Sequence, residues 1–145
     1  MVEDIKDEES RMSPSQLIGY CLNQTSAITT IVSTRIYNGN RPDTTIFPSI
    51  NYYETPGGTK RNGFFKQFYS INCRAATAET ALNLARLVDD LFNGTSGTGI
   101  YGSMNNFEIT RGFTTQFQGL IPEPDDSVYN CPVDIQVFFP VSSIS

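Results

Sequence analysis

The residues best suited to do chemistry lie at a junction between Ser70 and Gly94, in the stretch SINCRAATAETALNLARLVDDLFNG. Cys73 precedes a helical pattern, and a helix N-terminus lowers the pKa of a nearby thiol and attracts anions. A phosphatase-type site would need an arginine six positions after the cysteine, but that position holds Glu79, which repels anions. The alternation of the segment places Cys73 on the same side as Tyr69 and Ile71. We therefore interpret Cys73 as a core residue.

The chain contains no histidine. This excludes Ser-His and Cys-His nucleophile pairs, histidine general bases and histidine metal ligands. The three cysteines, Cys21, Cys73 and Cys131, are widely spaced and form no CxxC pair. That usage is typical of a reduced intracellular protein and argues against both a disulfide scaffold and a zinc site. We predict no catalytic set, no metal and no cofactor.

Two groups of carboxylates could form a metal or catalytic site. Asp89 and Asp90 are adjacent on a predicted helix and therefore point in different directions, as on a solvated face. Glu123, Asp125 and Asp126 flank two prolines, but their spacing matches no known metal loop. A small enzyme or ligand-binding domain that uses Cys73 or this acidic loop remains the alternative from a different class.

The glycine-rich run Gly94–Gly102 matches half of a phosphate loop. It lacks the lysine of such loops and does not lead from a strand into a helix, so we predict a flexible connection.

Composition predicts one packed domain. The chain has 145 residues, of which 39% are hydrophobic, and this is enough to bury a sizeable core. Its net charge is −5, and residues 1–12 (MVEDIKDEESRM) carry −3 of it. We predict a flexible acidic arm over residues 1–12 and a single α+β domain over residues 13–145. There is no basic field for nucleic acid, no signal peptide and no run long enough to span a membrane.

Two helices are predicted at the start of the domain. Ser13 and Pro14 supply an N-cap and a first-turn proline, and apolar residues then recur at helical spacing from Leu17 to Leu22. A second short turn, Ser26–Val32, offers further apolar side chains. Arg35–Tyr37 then leads into a loop.

Four segments have strand patterns: Ile46–Glu54, Phe64–Arg74, Asn106–Arg111 and Val128–Phe139. The last of them alternates over six odd-numbered apolar positions, which indicates a half-buried strand of an antiparallel sheet. Because Pro132 has no N–H to donate, we predict that this strand lies at an edge or is bulged there.

A third helix, Thr77–Phe92, is predicted between the second and third of these strands, capped by Thr77 and closed by Gly94. Its apolar stripe requires a sheet to lie on. The predicted fold is α+β: a four-stranded antiparallel sheet with helices packed on one face, in the order α-α-β-β-α-β-β.

Two connections hold residues that are typical of interfaces. Thr55–Asn62 joins two long strands and carries two cations at its tip. Gly112–Asp126 carries apolar residues without a clear period, and such residues either fold back onto the core or contact a partner. The candidate subunit or partner interface residues are Lys60, Arg61, Phe64, Phe113, Phe117, Leu120 and Ile121.

The elements follow a familiar order. After two N-terminal helices come Thr34–Tyr37, with the sequence TRIY, and Phe47–Tyr53, with the sequence FPSINYY. A hairpin, a strand ending Ile71–Ala75, the helix Thr77–Phe92 and an aromatic-rich closing strand, Tyr129–Phe139, complete the order. This arrangement resembles the tail terminator, or tail completion, proteins of long-tailed bacteriophages, whose R-I-Y and P-Y-V-V-Y segments are similar to the first two. The resemblance covers nearly the whole chain.

The resemblance implies a structural virion protein that does no chemistry. It implies a ring of copies, usually a hexamer, that caps the completed tail tube and joins it to the head-side connector. The implied partners are other copies of the chain, the tail tube protein and a connector or head-closure protein, with no direct nucleic-acid recognition and no membrane. The implied location is the tail–head junction of a virion assembled in the host cytoplasm. Within the same class, a head-closure protein or another neck component is the alternative.

Overall fold

The computed structural model describes residues 14–39, 46–61, 64–93, 100–104, 107–117, 119–123 and 127–140. Within these ranges there are three helices: α1 (Pro14–Gln24), α2 (Ser26–Val32) and α3 (Ala78–Asn93). The same ranges hold seven strands: β1 (Ile36–Asn38), β2 (Ser49–Arg61), β3 (Phe64–Ala75), β4 (Ile100–Met104), β5 (Phe107–Phe117), β6 (Ile121–Glu123) and β7 (Val128–Pro140). The predicted arm, residues 1–12, lies outside the described residues.

The strands form one mixed sheet. Six of the described strands follow the order β1-β2-β3-β7-β5-β4, and β6 pairs with β7 off this path. β1 runs parallel to β2, and the other pairs are antiparallel. The α+β class is confirmed, but the prediction of a four-stranded, wholly antiparallel sheet is wrong. The four predicted strands are β2, β3, β5 and β7; the strands that were missed have only three to five residues, which is too short for a period to be recognised.

The long strands extend into segments predicted as loops. β2 begins after Pro48 rather than at Ile46, whose side chain is 68% exposed, and continues to Arg61. Its register against β3 shifts between Thr55 and Thr59, so the glycine pair there forms an irregularity within the ladder and not a loop. Most of the predicted loop Thr55–Asn62 is therefore strand.

Two other predicted connections are also partly strand. β5 extends to Phe117 and β6 occupies Ile121–Glu123, so Gly112–Asp126 is not one loop. β4 begins at Ile100, inside the run predicted as a flexible connection, while residues 94–99 lie outside the described ranges.

Pro132 lies in the middle of the sheet, and the prediction of an edge strand is wrong. β7 pairs with β3 along its length. Its other side is shared: β6 pairs with residues 128–130 and β5 with residues 133–138. Pro132 falls in the gap between these two partners, where a missing N–H removes no ladder bond on that side. The proline is accommodated by an interruption in the neighbouring strands rather than by an edge.

The helices pack on one face of the sheet and share a single buried cluster with it. The α1 residues predicted to be apolar and inward, Leu17, Ile18, Cys21 and Leu22, are all buried. α3 buries the predicted stripe and begins at a cap, because the backbone N–H of Thr80 donates to Thr77 Oγ1 at 3.2 Å. The predicted cap Ser13 and the predicted terminator Gly94 lie outside the described residues.

Two polar side chains make hydrogen bonds in this part of the fold, one within β3 and one between elements. Gln67 interrupts the apolar alternation of β3, and its Oε1 accepts a 2.7 Å hydrogen bond from the hydroxyl of Tyr69, which is fully buried. Arg35 donates to the carbonyl oxygens of Pro48 at 2.8 Å and Ile31 at 3.4 Å, which ties the end of α2 to the start of β2. A cation at a helix C-terminus also complements the helix dipole.

Candidate interaction surface

The register assigns each strand residue to one of two sheet faces, because residues paired directly across strands share a face. Cys73, Ile50 and Cys131 form one row on the face that bears the helices. Their neighbours Arg74 and Asn130 form a row on the opposite face. No described helix contributes to that second face, which we call the helix-free face.

The centre of the helix-free face is polar and buried. Its buried polar residues are Ser49, Asn51, Ser70, Asn72 and Asn130. The Asn130 side-chain amide donates to Asn72 Oδ1 at 2.9 Å, and that of Asn51 donates to the carbonyl oxygen of Gly39 at 3.2 Å. Asn130 Oδ1 and Ser49 Oγ are buried without a hydrogen-bond partner among the described residues. A sheet face lined in this way is not a second hydrophobic core.

Arg74 holds this polar centre together. Its Nε donates to Glu123 Oε1 at 2.8 Å, and its Nη1 donates to Asn51 Oδ1. Glu123 ends β6, so the ion pair fixes this short strand to the sheet in addition to its pairing with β7. The side chains of Arg74 and Glu123 are 16% and 29% exposed, and charge-assisted hydrogen bonds are stronger in such partly desolvated positions.

β6 presents one exposed apolar side chain on this face, and the residue before the strand is also exposed and apolar. Ile121 is 41% exposed and pairs with Asn130, and the preceding Leu120 is 39% exposed. Tyr53, which pairs with Ser70 on the same face, is 43% exposed. Together with β6, which the ion pair holds on the sheet, these side chains form an apolar rim around a polar centre. Protein–protein interfaces usually have the reverse arrangement, an apolar centre with a polar rim.

The far end of the same face is cationic and aromatic. The Lys66 ammonium lies 5.5 Å from the centroid of the Phe68 ring, in the range of a cation–π contact. Lys66 pairs with Phe138 of β7, and the register places Arg111 of β5 opposite Phe138 and Arg61 opposite Phe64.

The predicted interface residues lie at two ends of the molecule. Lys60 and Arg61 end β2, and Phe64 begins β3 directly opposite Arg61. The exposed Leu120 and Ile121 belong to β6 and its approach. For two further predicted interface residues the structure describes the position in a strand but not the side chain. Phe113 and Phe117 lie in β5, opposite Gln136 and Val133 of β7. Sequence reasoning missed Arg74, Tyr53 and Phe138, because only the register assigns them to the helix-free face.

The cysteines lie in the core, as predicted for Cys73. Burial raises the pKa of the Cys73 thiol far above its ordinary value, and the neighbouring Cys131 thiol, its cross-strand partner, raises it further. Burial likewise raises the pKa of Cys21 to about 11 and that of Cys131. None of the three cysteines forms a disulfide, and all three are buried. A thiol must be deprotonated and accessible to act as a nucleophile, so Cys73 is not placed to serve as one.

The acidic loop does not assemble into a site in the described part of the chain. The Glu123 carboxylate is bound by Arg74, while Asp125 and Asp126 lie outside the described residues. Among the residues with described positions, no three cysteine or carboxylate side chains are grouped as metal ligands would be. None of the described helices is long and apolar enough to cross a membrane.

Comparison with known proteins identifies a shared fold. No family model matches the chain, and no curated protein matches it by sequence. Among solved structures, it is similar to a chain of the virion of a native gene transfer agent (GTA) particle, with a TM-score of 0.67. The match covers 88% of this chain and 95% of that one at 12% sequence identity. At this identity the likeness establishes the architecture of helices on one face of a mixed sheet.

Proposed function

We propose that the chain is a structural protein of a phage-like virion and performs no catalysis. The observation that carries the proposal is the likeness over nearly the full length of both chains to a component of a gene transfer agent virion, a phage-like particle. A protein whose whole length matches one virion component is of the right size to occupy an equivalent position. Its three cysteines are buried, which agrees with a role without chemistry.

We propose further that copies form a ring, a hexamer by resemblance, which terminates the tail tube and joins it to the head-side connector. A cyclic ring is built from heterologous contacts, so each subunit must offer two different patches. The helix-free face supplies one of them: Leu120, Ile121 and Tyr53 form its apolar rim. The second patch is assigned to the hairpin end, where Lys60, Arg61 and Phe64 were predicted to make contacts.

The patch assignment is tested by placing a charge in the apolar rim. Ile121→Glu and Leu120→Glu alter side chains that are already about two-fifths exposed, so the monomer should fold. A contact of the usual size buries on the order of 1,600 Å² in total, and an unpaired carboxylate at its centre opposes assembly. Ile46→Glu, at an apolar position that is 68% exposed and outside the rim, is the matched control.

Native mass spectrometry and negative-stain microscopy measure the outcome, in the presence of the tail tube protein where the ring forms only on the tube. Rings are expected for the wild-type chain and for Ile46→Glu, and folded monomers for the two rim variants. Normal rings from both rim variants would show that the assigned patch is wrong. Rings that bind the connector but never the tube would favour the head-closure alternative.

A further inference from the structure

We propose that the cationic and aromatic end of the helix-free face binds the acidic N-terminal segment, residues 1–12, of the same chain. This surface, the basic-aromatic end, consists of Lys66, Phe68 and Phe138 with the register position of Arg111. The proposal concerns the monomer and does not depend on ring assembly.

The surface itself is built for an anionic, partly apolar ligand. Lys66 and Phe68 are half-buried and make a cation–π contact, and Phe138 lies opposite Lys66 on β7. Lys66 has no carboxylate partner among the described residues. The first acidic residue along β7 on this face is Asp134, which pairs with Ser70, two rows from Lys66 and therefore about 13 Å along the strands.

Two other described cations are bound within the fold. Arg74 is bound to Glu123, and Arg35 joins α2 to β2. Arg86 is exposed on α3, where Asp89 and Asp90 follow it at the spacing of helical neighbours. Of the two helix-free-face cations whose side chains are described, Arg74 is thus paired with a carboxylate and Lys66 is not.

The acidic N-terminal segment of the chain has the charge and the apolar residues that this surface would bind. Residues 1–12 carry five carboxylates against two cations, with Val2 and Ile5 among them. The complementary charges favour this segment over a neutral partner, and the apolar residues suit the phenylalanines.

The N-terminal segment is long enough to reach the basic-aromatic end. Ser15, at the start of α1, lies beside the hydroxyl of Tyr69 on β3. Tyr69 is three residues from Lys66, which is about 10 Å along the strand. The 13 residues before Pro14 span at most about 45 Å when extended, enough to pass from the helix-bearing face around the hairpin to the other face. Tethering the segment this close raises its effective concentration to about the millimolar range.

The test uses the full chain with a photo-crosslinking amino acid at Ile5. Crosslinks are expected to map to residues 64–68 or to the end of β7, within a product of monomer mass. Lys66→Glu should reduce the crosslinked yield roughly five-fold, since it replaces an attraction by a repulsion of similar size. Arg86→Glu, the same charge change at an exposed cation outside the surface, should leave the yield unchanged. Raising NaCl from about 50 to about 500 mM should lower the wild-type yield.

A charge-exchange variant separates loss of binding from loss of folding. Replacing Asp7 and Glu8 by lysine in the Lys66→Glu background should restore the crosslink. Equal yields from Lys66→Glu and Arg86→Glu, or no recovery in the exchanged variant, would overturn the proposal. Crosslinks confined to products of dimer or larger mass would assign the surface to a neighbouring copy instead. Binding of a short DNA duplex that is lost on Lys66→Glu would assign it to nucleic acid and would also overturn the proposal.

Discussion

Gly19 lies in the middle of α1, against Tyr52 of β2. A methyl group built at this position would overlap the Tyr52 hydroxyl oxygen and lie 3.2 Å from Tyr52 Cζ. Tyr52 is 5% exposed and belongs to the buried cluster, so its ring has little room to withdraw. Gly19→Ala should therefore incur an overpacking cost of about 1–3 kcal/mol. The gain in helix propensity offsets about 0.8–1 kcal/mol of it, leaving a net loss of roughly 0–2 kcal/mol.

The sign of the effect should reverse when the hydroxyl is removed. In a Tyr52→Phe background the overlapping oxygen is absent, the nearest atom is the ring carbon at 3.2 Å, and Gly19→Ala should stabilise the protein by up to about 1 kcal/mol. Urea denaturation of the four proteins, compared at a common slope, gives the coupling energy. Two results would refute the argument that Tyr52 excludes a side chain from position 19. One is a coupling energy below about 0.5 kcal/mol. The other is a Gly19→Ala variant with Tyr52 retained that is clearly more stable than the wild-type protein.

Three further outcomes are expected. Thr77→Ala should lower the stability by about 1 kcal/mol in thermal unfolding while Thr77→Ser should not, and equal losses would mean that the hydroxyl does not cap α3. Glu123→Ala, which leaves the Arg74 guanidinium without its carboxylate, should cost about 1–2 kcal/mol and should be less than additive with Arg74→Ala; additivity would contradict a coupled pair. The free energy of unfolding should fall from about pH 9 to about pH 11, because burial raises the pKa of Cys21 from 9.0 to about 11 and the unfolded chain releases protons first. Thiol titration should show all three cysteines becoming reactive together with unfolding, and rapid labelling of a native thiol would disprove their burial.

Patterns that depend on local spacing were predicted correctly. The α1 face and the α3 stripe follow the 3.6-residue period, and both are buried as expected. The side-chain alternation of β7 is equally clear, and its apolar residues at positions 131–137 are buried. Each of these segments is long enough for its apolar period to be recognised in the sequence of the segment alone.

Pairing between distant segments could not be predicted in the same way. β1 has three residues and pairs in parallel with β2, and β6 has three residues and is fixed by β7 and by Arg74. Neither carries a periodic signal, because its stability comes from partners far away in the sequence. Pro132 gives the clearest example: a missing N–H was interpreted as a sign of an edge, whereas two short neighbours leave a gap at that point.

The same reasoning explains why the proposed interaction surface is not visible in the sequence. Lys66, Phe138 and Arg111 are separated by tens of residues and become neighbours only through the register of three strands. Arg74 resembles any exposed cation at a strand end until Glu123 is brought to it by β6. A helix-free face assembled from such residues is polar at its centre, so it does not require a second layer of helices to be stable in water. Its exposed side chains, Tyr53 and Ile121, are where we propose that this face contacts other molecules, while the helices on the opposite face stabilise the fold.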